Sequence, residues 1–368
     1  VQNYRIPGIY YESVFPADRA KLRTAVPVFL AYCGDSYTKI TYITNWSEFN
    51  SQFGNMPSES HLQEAVHGFF RNDGQVCFIA PMPVMTLEAL RKKLDALVTY
   101  EGFDLICAPD LTVNSDPAEY LEMQAAILEA CDRIGHCFAI LDSRPGSDLN
   151  LVSEQHQRLL RDAYGKNGAL YFPWLKTESG QVCPPCGHMA GIYARSDYRK
   201  GIHKAPANEL VEGVVDLEKV PDRGEQIRLT DLNVNYIRVV RGRGIRVWGA
   251  RTLSSDSAWV YISTRRLFLT IKSWIELNLA DAAFELNTPS LWSHLTRELT
   301  VYLNSLVQLG KLHDFTVKCD TETNPSDAIE IGQVCTQITL VPTIPLEVIL
   351  IRVMHSEGNI TIEQAVSF

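Results

Sequence analysis

The sequence lacks the short signatures that catalysis and phosphate binding usually leave. It has no Gly-x-Ser-x-Gly nucleophile elbow and no Walker phosphate loop. It has no apolar run approaching the roughly 20 residues needed to cross a bilayer as a helix, which argues against direct membrane insertion. It has no low-complexity tract and no internal repeat, which argues against a disordered tail or a solenoid. It also lacks a basic excess. Lys and Arg number 34 against 43 Asp and Glu, a formal net charge of −9. Wholesale wrapping of nucleic acid is therefore not expected. The opening VQNYRIPGIYY lacks a basic stretch followed by an apolar one, so no secretory signal is visible. The chain does not begin with Met, and an initiator or a few residues are expected to precede it. A protein of this kind that acts outside the cell needs an exit route other than such a signal.

A disulfide framework is missing as well. The nine cysteines (Cys33, Cys77, Cys107, Cys131, Cys137, Cys183, Cys186, Cys319 and Cys335) are odd in number. Most lie in apolar, strand-like surroundings such as VCFIAP and LICAPD. Reduced, buried thiols in a protein folded in a cytoplasm are expected.

What is present is an ordinary globular chain. Its 368 residues suit two or three domains, and 46% hydrophobic against 21% charged content is ample for a core. Residues 1–21 read as an arm around Pro7-Gly8, too short to fold alone and suited to packing back or donating a strand. Residues 22–186 alternate short apolar runs (AVPVFLAYCG, VCFIAP, DLICAPD, HCFAILD, GALYFPWL) with amphipathic segments at helical spacing. That alternation predicts a sheet with helices on its faces. The polar, Pro-rich KTESGQVCPPC (176–186) reads as a boundary. From 187 to 354 the pattern predicts a helix, a basic loop, two strands (234–240, 245–251), helices over 267–285 and 290–310, and strands near 315–320, 333–343 and 346–354. Residues 355–368 read as a second arm. The fold class is α/β in the broad, α+β sense: a middle α/β domain and a C-terminal α/β domain with extended arms at both ends.

Several constellations allow a chemical and a plain reading. Cys183-Pro184-Pro185-Cys186 with His188 has thiolate spacing for a metal or a redox pair. No second Cys pair completes a zinc site, and two incidental thiols in a linker is the plain reading. Asp110 and Asp142 follow strands, where α/β enzymes place site residues and where helix caps also fall. Gly242-Arg243-Gly244 is half a dinucleotide fingerprint, but it lies between two strands, where a hairpin turn is the simpler account. Arg195, Arg199, Lys200, His203 and Lys204, interleaved with Tyr193 and Tyr198, form a basic run that fits nucleic acid, an acidic partner or a solvated loop. Arg265-Arg266, near Trp259, Tyr261 and Phe268, fits an anion clamp or an interface ion pair.

RVWGARTLSSDSAWVYISTRRLF, preceded by ARSDYRKGIHKAPANE and followed by FTVKCDTETNPSDAIEIGQVCTQITLVPTIPLEVILI, resembles the sheath proteins of contractile phage tails and related injection particles. IPGIYYESV resembles that family's N-terminal arm. Thr264 stands where the family has an apolar residue before the Arg pair. No extra outer domain interrupts the middle region, so the chain is similar to the short sheath forms. The resemblance implies a non-enzymatic structural subunit without cofactors. Such subunits stack as hexameric rings around an inner tube and contract to drive it through a target membrane. A baseplate or terminal-cap component sharing the C-terminal domain is the alternative, and an α/β enzyme a more distant one. The implied partners are further copies and sheath paralogues, the tube, baseplate and cap proteins, with neither nucleic acid nor direct membrane insertion among them. Assembly is expected in a bacterial cytoplasm, for a phage tail or a released particle. The implied arm residues are Ile6, Pro7, Gly8, Ile9 and Tyr10 at one end and Ile360 and Ile362 at the other. Arg246, Trp248, Arg251, Arg265 and Arg266 are expected at interfaces or in packing. Glu276, Asp281 and Glu285 are expected to face the tube.

Overall fold

The run PVFLAY becomes β1 (Pro27–Tyr32), buried on both faces, as a central strand of a parallel sheet must be. The computed structural model describes residues 22–113, 116–160, 163–345, 347, 350–356 and 359–365. After β1 the chain forms β2 (Thr41–Ile43), α1 (Trp46–Phe53), α2 (Leu62–Arg71), β3 (Cys77–Met82), α3 (Leu87–Leu97), β4 (Leu105–Cys107), α4 (Pro117–Ile134), β5 (Phe138–Asp142), α5 (Leu149–Leu159) and β6 (Gly168–Phe172). It continues with β7 (Leu175–Thr177), β8 (Val182–Cys183), α6 (Cys186–Lys200), β9 (Val214–Leu217), α7 (Arg223–Asp231), β10 (Asn235–Val240) and β11 (Gly244–Trp248). Last come α8 (Ile262–Asn278), α9 (Pro289–Gln308), β12 (Leu312–Lys318), α10 (Ser326–Glu330), β13 (Gln337–Pro342), β14 (Leu350–Ser356) and β15 (Asn359–Ala365).

The main sheet has eight strands in the order β11-β10-β6-β5-β4-β1-β3-β2. The six from β3 to β10 run parallel, and antiparallel β2 and β11 close the two edges. Strand alternation divides the core. Phe29 and Ala31 face a layer with Phe49, Phe69 and Tyr193 from α1, α2 and α6. Val28 and Leu30 face the opposite layer, with Leu94, Ile127, Val152 and Leu229 from α3, α4, α5 and α7. Helix starts are set locally. Asn45, Thr86, Asp116 and Asp148 each accept hydrogen bonds from the first-turn amides of α1, α3, α4 and α5. Gly135 ends α4 in the left-handed conformation.

α8 belongs to two cores. Ile262 and Leu269 join the sheet layer, whereas Leu267 and Ile271 pack with Leu303, Leu306 and Leu312 of α9 and β12. Trp274 stacks on Tyr302, with 3.7 Å between ring centroids.

Three sequence expectations change. β10 and β11, placed beyond a boundary at 186/187, are strands of the main sheet: Asn235 and Tyr236 pair with Tyr171 and Phe172 of β6. KTESGQVCPPC is an ordered hairpin, β7–β8, joined by β9 into a three-stranded sheet. Its turn closes because Gly180, at φ 83°, lets its amide reach the Thr177 carbonyl at 2.9 Å. The helix expected over 267–285 begins earlier, at Ile262, and stops at Asn278. The Asn278 amide turns back onto the Trp274 carbonyl, a short 3-10 turn (Ala280–Ala282) follows, and Phe284 takes φ 72°.

Candidate assembly surfaces and buried polar sites

In an open parallel sheet, ligands collect at the carboxyl ends of strands that lead off in opposite directions. Here those strands are β1 and β4. Asp110, just past β4, is fully buried there. It accepts from the Tyr32 amide at 2.9 Å, the Ser60 hydroxyl at 2.7 Å and the His61 amide at 2.5 Å. Burial raises its pKa to about 6 against these lowering bonds. Asp142 ends β5 and accepts from the Cys186 amide at 2.8 Å, capping α6. Burial raises it to about 7. Its main-chain carbonyl takes donors from Tyr120, Gln124 and Gln155. Both aspartates are helix caps, as their position after a strand allowed, but for helices remote from them in sequence.

Cys183 and Cys186 are buried free thiols, and burial pushes both pKa values up. His188 is buried too, and burial with nearby His67 lowers it to about 3. Among the described residues no cluster of three or more His, Cys, Asp or Glu is placed to hold a metal ion.

Arg265 and Arg266 are buried rather than displayed. Arg266 grips Asp197 with two bonds, at 3.0 and 2.7 Å, and reaches Asp104 at 3.3 Å. It also lies 4.8 Å from the centre of the Tyr193 ring. Asp104 in turn accepts from the amides of Ala25 and Val26. Arg265 donates to Asn167 at 2.8 Å and lies beside Trp259. The pair is therefore a packing device that bolts α8 to the sheet, and the interface ion pair read from the sequence is spent inside the chain. Asp104 and Asp197 were not singled out in the sequence. A carboxylate directly abutting an apolar strand, as in FDLIC, was the available signal for Asp104.

The hairpin reading of Gly242-Arg243-Gly244 holds: Val240 pairs with Gly244, and the Arg243 amide closes on the Val240 carbonyl. Trp248 packs half-buried beneath the Arg238 guanidinium, 3.4 Å from its ring centre. Arg246 donates to the carbonyls of Asn208 and Arg243. Arg251 meets Glu347 at 3.0 Å and Asn233 at 3.0 Å, tying the sheet to the segment before β14. The basic run is largely neutralised internally. Arg195 is buried against Glu209, Glu212 and the Leu210 carbonyl, Arg199 meets Asp73, and Lys200 meets Glu209.

Glu276, Asp281 and Glu285 are all exposed but do not share a helix face. Only Glu276 lies on α8, 3.6 Å from Lys272. Asp281 and Glu285 lie in the loop beyond. Ile6, Pro7, Gly8, Ile9 and Tyr10 lie outside the described residues. Ile360 and Ile362 lie on β15, whose backbone pairs antiparallel with β14. β12–β13 and β14–β15 are separate two-stranded sheets.

An eight-stranded α/β sheet whose strand-end carboxylates Asp110 and Asp142 accept helix-start amides, followed by two separate two-stranded sheets toward the C-terminus, defines the fold. Residues 85–253 match the family model for the phage tail sheath protein central domain, and residues 254–355 match that for the phage tail sheath C-terminal domain. The chain belongs to the contractile tail sheath family. It is 26% identical over 175 residues to a putative prophage major tail sheath protein of Pseudomonas aeruginosa, covering 46% of this chain and 45% of that protein. It is 31% identical over 240 residues to the tail sheath protein of Salmonella phage ViI, covering 61% of this chain and 38% of that one. The chain thus spans less than half the length of these curated relatives. Solved structures match more completely. A chain of the six-fold symmetrised anti-feeding prophage baseplate gives a TM-score of 0.79 at 27% identity, covering 95% of this chain and 99% of that chain. The sheath complex of an extracellular contractile injection system in its contracted state gives 0.76 at 26% identity, covering 97% and 99%.

Proposed function

We propose that this protein is a non-catalytic subunit of a contractile sheath. Copies stack as six-membered rings around an inner tube in an extended, metastable state. Release at the baseplate lets the rings rotate and compress into a better-packed arrangement, driving the tube through a target membrane. The energy comes from a population shift between two packings, so no nucleotide is required. The terminal arms, including Ile6–Tyr10 and Ile360–Ile362, knit neighbouring subunits by strand addition. We divide the chain at 253/254, where the sheet-building residues end and α8 begins to build its second core. Glu276 on α8 is the tube-facing candidate. Assembly is in a bacterial cytoplasm, with baseplate, cap and sheath paralogues as further partners. No described helix is long and apolar enough to cross a membrane.

The observation that carries this reading is the near-complete match to a contracted-sheath subunit. Negative-stain microscopy of the purified protein, alone and with its tube protein, tests it. Striated tubes are expected, and a monodisperse small species under both conditions sinks it. Deleting residues 1–15 is expected to abolish tubes while leaving a folded monomer. The match to a baseplate chain favours a second reading, a few-copy ring at the baseplate. Rings that form but never lengthen with added protein would select it.

A further inference from the structure

We propose that the loop following α8 is a knob that seats in a groove between β9 and the β10–β11 hairpin of a second copy of this chain. This deepens the sheath-subunit reading, on which it rests, by naming one sheath-to-sheath contact.

The knob is built to meet something. Phe284 is exposed to its full extent, at 108% of its reference surface, and Leu286 is 82% exposed. Large apolar side chains displayed together mark interaction sites more often than solvated loops. Phe284 also holds φ 72°, a left-handed conformation that a bulky residue adopts only when its surroundings impose it. Backbone bonds fix the turn around it: the Ala283 amide reaches the Ala280 carbonyl at 3.0 Å and the Glu285 amide reaches Ala282 at 3.3 Å. Asp281 and Glu285, three residues before and one residue after Phe284, are exposed, and neither has an ion pair among the described residues.

The groove has the complementary character. Its volume is about 740 Å³, and Leu210, Val215, Val239 and Ile245 line it. Val215 is 63% and Val239 51% exposed, although each lies in an ordered strand. Gly244 at the groove wall has φ 78° and no side chain to narrow it. β9 is the outer strand of its three-stranded sheet. The carboxylates on the rim are already neutralised: Glu178 by Arg71 at 2.9 Å, Asp216 by Lys176 at 3.5 Å and Glu212 by Arg195 at 3.5 Å. The hairpin tip leaves Arg241 and Arg243 exposed, with no ion pair among the described residues. The uncompensated charge is thus positive at the groove and negative at the knob. An aromatic anchor entering an apolar groove, ringed by two carboxylate–guanidinium contacts, is the arrangement of an interface hot spot. Knob and groove share no residue, so the contact is head-to-tail. Such contacts propagate into rings or helical stacks rather than closing a dimer.

Photo-crosslinking of the full chain tests this. p-Benzoylphenylalanine replaces Phe284, and isotopically heavy and light protein are mixed. Mixed-isotope dimers, with crosslinked peptides from residues 208–216 or 239–245, are expected. Crosslinks within one chain, to other peptides, or only to added tube protein overturn the proposal. Charge reversal provides the second arm. Asp281→Lys with Glu285→Lys, or Arg241→Glu with Arg243→Glu, is expected to raise the concentration for half-maximal self-association at least about tenfold, as the loss of charge-assisted contacts would. Circular dichroism and melting temperature should stay unchanged, because all four residues are exposed. Mixing the two reversed variants is expected to restore association. Tubes that form at unchanged concentration in both variants would leave the sheath reading standing and remove the knob. A chain that stays monomeric without crosslinks would remove both.

Discussion

Arg266 offers the sharpest test of what holds α8 to the sheet. Its guanidinium side chain is 3% exposed and its main partner, Asp197, 5%. Replacing Arg266 with Met keeps most of the packing and deletes the charge. Asp104 would retain the amides of Ala25 and Val26 at 2.9 and 2.6 Å. Asp197 would lose the only side-chain donors found for it among the described residues. Breaking a buried pair from one side costs about 3–5 kcal/mol, because the abandoned charge stays desolvated. Arg266→Met should therefore lower the unfolding free energy by about that amount in urea titrations followed by tryptophan fluorescence. The decisive comparison is the double variant Arg266→Met with Asp197→Asn. The stranded charge is gone there, so the double should be more stable than Arg266→Met alone by about 1–3 kcal/mol, the coupling expected of contacting residues. A single variant within about 1 kcal/mol of wild type, or a double in which the two losses simply add, would refute the bolt.

Three further outcomes follow from buried groups. The Asp142 pKa rises from 3.8 to about 7 on folding, so the folded state holds the extra proton between those values; by linkage this is at most about 4 kcal/mol of stability, fully present below pH 4 and lost as pH rises through 7. Asp142→Asn keeps an oxygen for the Cys186 amide and should flatten the decline in stability between pH 5 and 8, whereas parallel wild-type and variant curves would contradict the assignment. Gly191→Ala would place a methyl carbon 2.4 Å from the Phe69 carbonyl oxygen, so a melting-temperature loss matching about 1–3 kcal/mol of overpacking is expected; an unchanged melting temperature would mean that α2 and α6 can separate freely. Asn72→Ala removes the amide that holds both main-chain groups of Glu212, and hydrogen exchange should quicken across residues 208–214 before the sheet strands respond.

The parallel strands were legible because burial on both faces writes itself as short continuous apolar runs. α4 was legible at both ends, through Asp116-Pro117 and Gly135. Pairing across long separations was not. Nothing in NYIRVV or GIRVW says that the hairpin extends the sheet beside Tyr171 and Phe172, since an amphipathic hairpin fits any free edge. The Arg265-Arg266 pair illustrates the same limit. Its aromatic neighbours were visible, but the acids that bury it lie 69 and 162 residues away. The end of α8 misled for another reason. LNLADAAFE has good helix propensity, yet tertiary context stops the helix at Asn278, and propensity is the weaker term. That one difference separates Glu276 from Asp281 and Glu285, and a three-residue acidic face becomes a helix residue and a loop.

At the carboxyl end of the sheet, buried carboxylates tie strand ends to helices. Asp110 stands at the switch between β1 and β4, and its oxygens are taken by Tyr32, Ser60 and His61. Asp142, at the end of the neighbouring strand β5, is committed to the amide that starts α6. Each carboxylate ties a strand end to the first turn of a helix on the opposite side of a long connection. Helix α6 in turn carries Asp197, the partner of Arg266, and Arg266 carries α8. A continuous chain of buried polar contacts therefore runs from the sheet through α6 to the C-terminal unit. Such a chain couples the main sheet to α8 through buried ion pairs and hydrogen bonds, beside a pocket of about 330 Å³ lined by Asp104, Phe138, Arg266 and Leu269. On the proposed sheath reading, in which the subunit rotates as a body, that coupling keeps α8 and the sheet moving together.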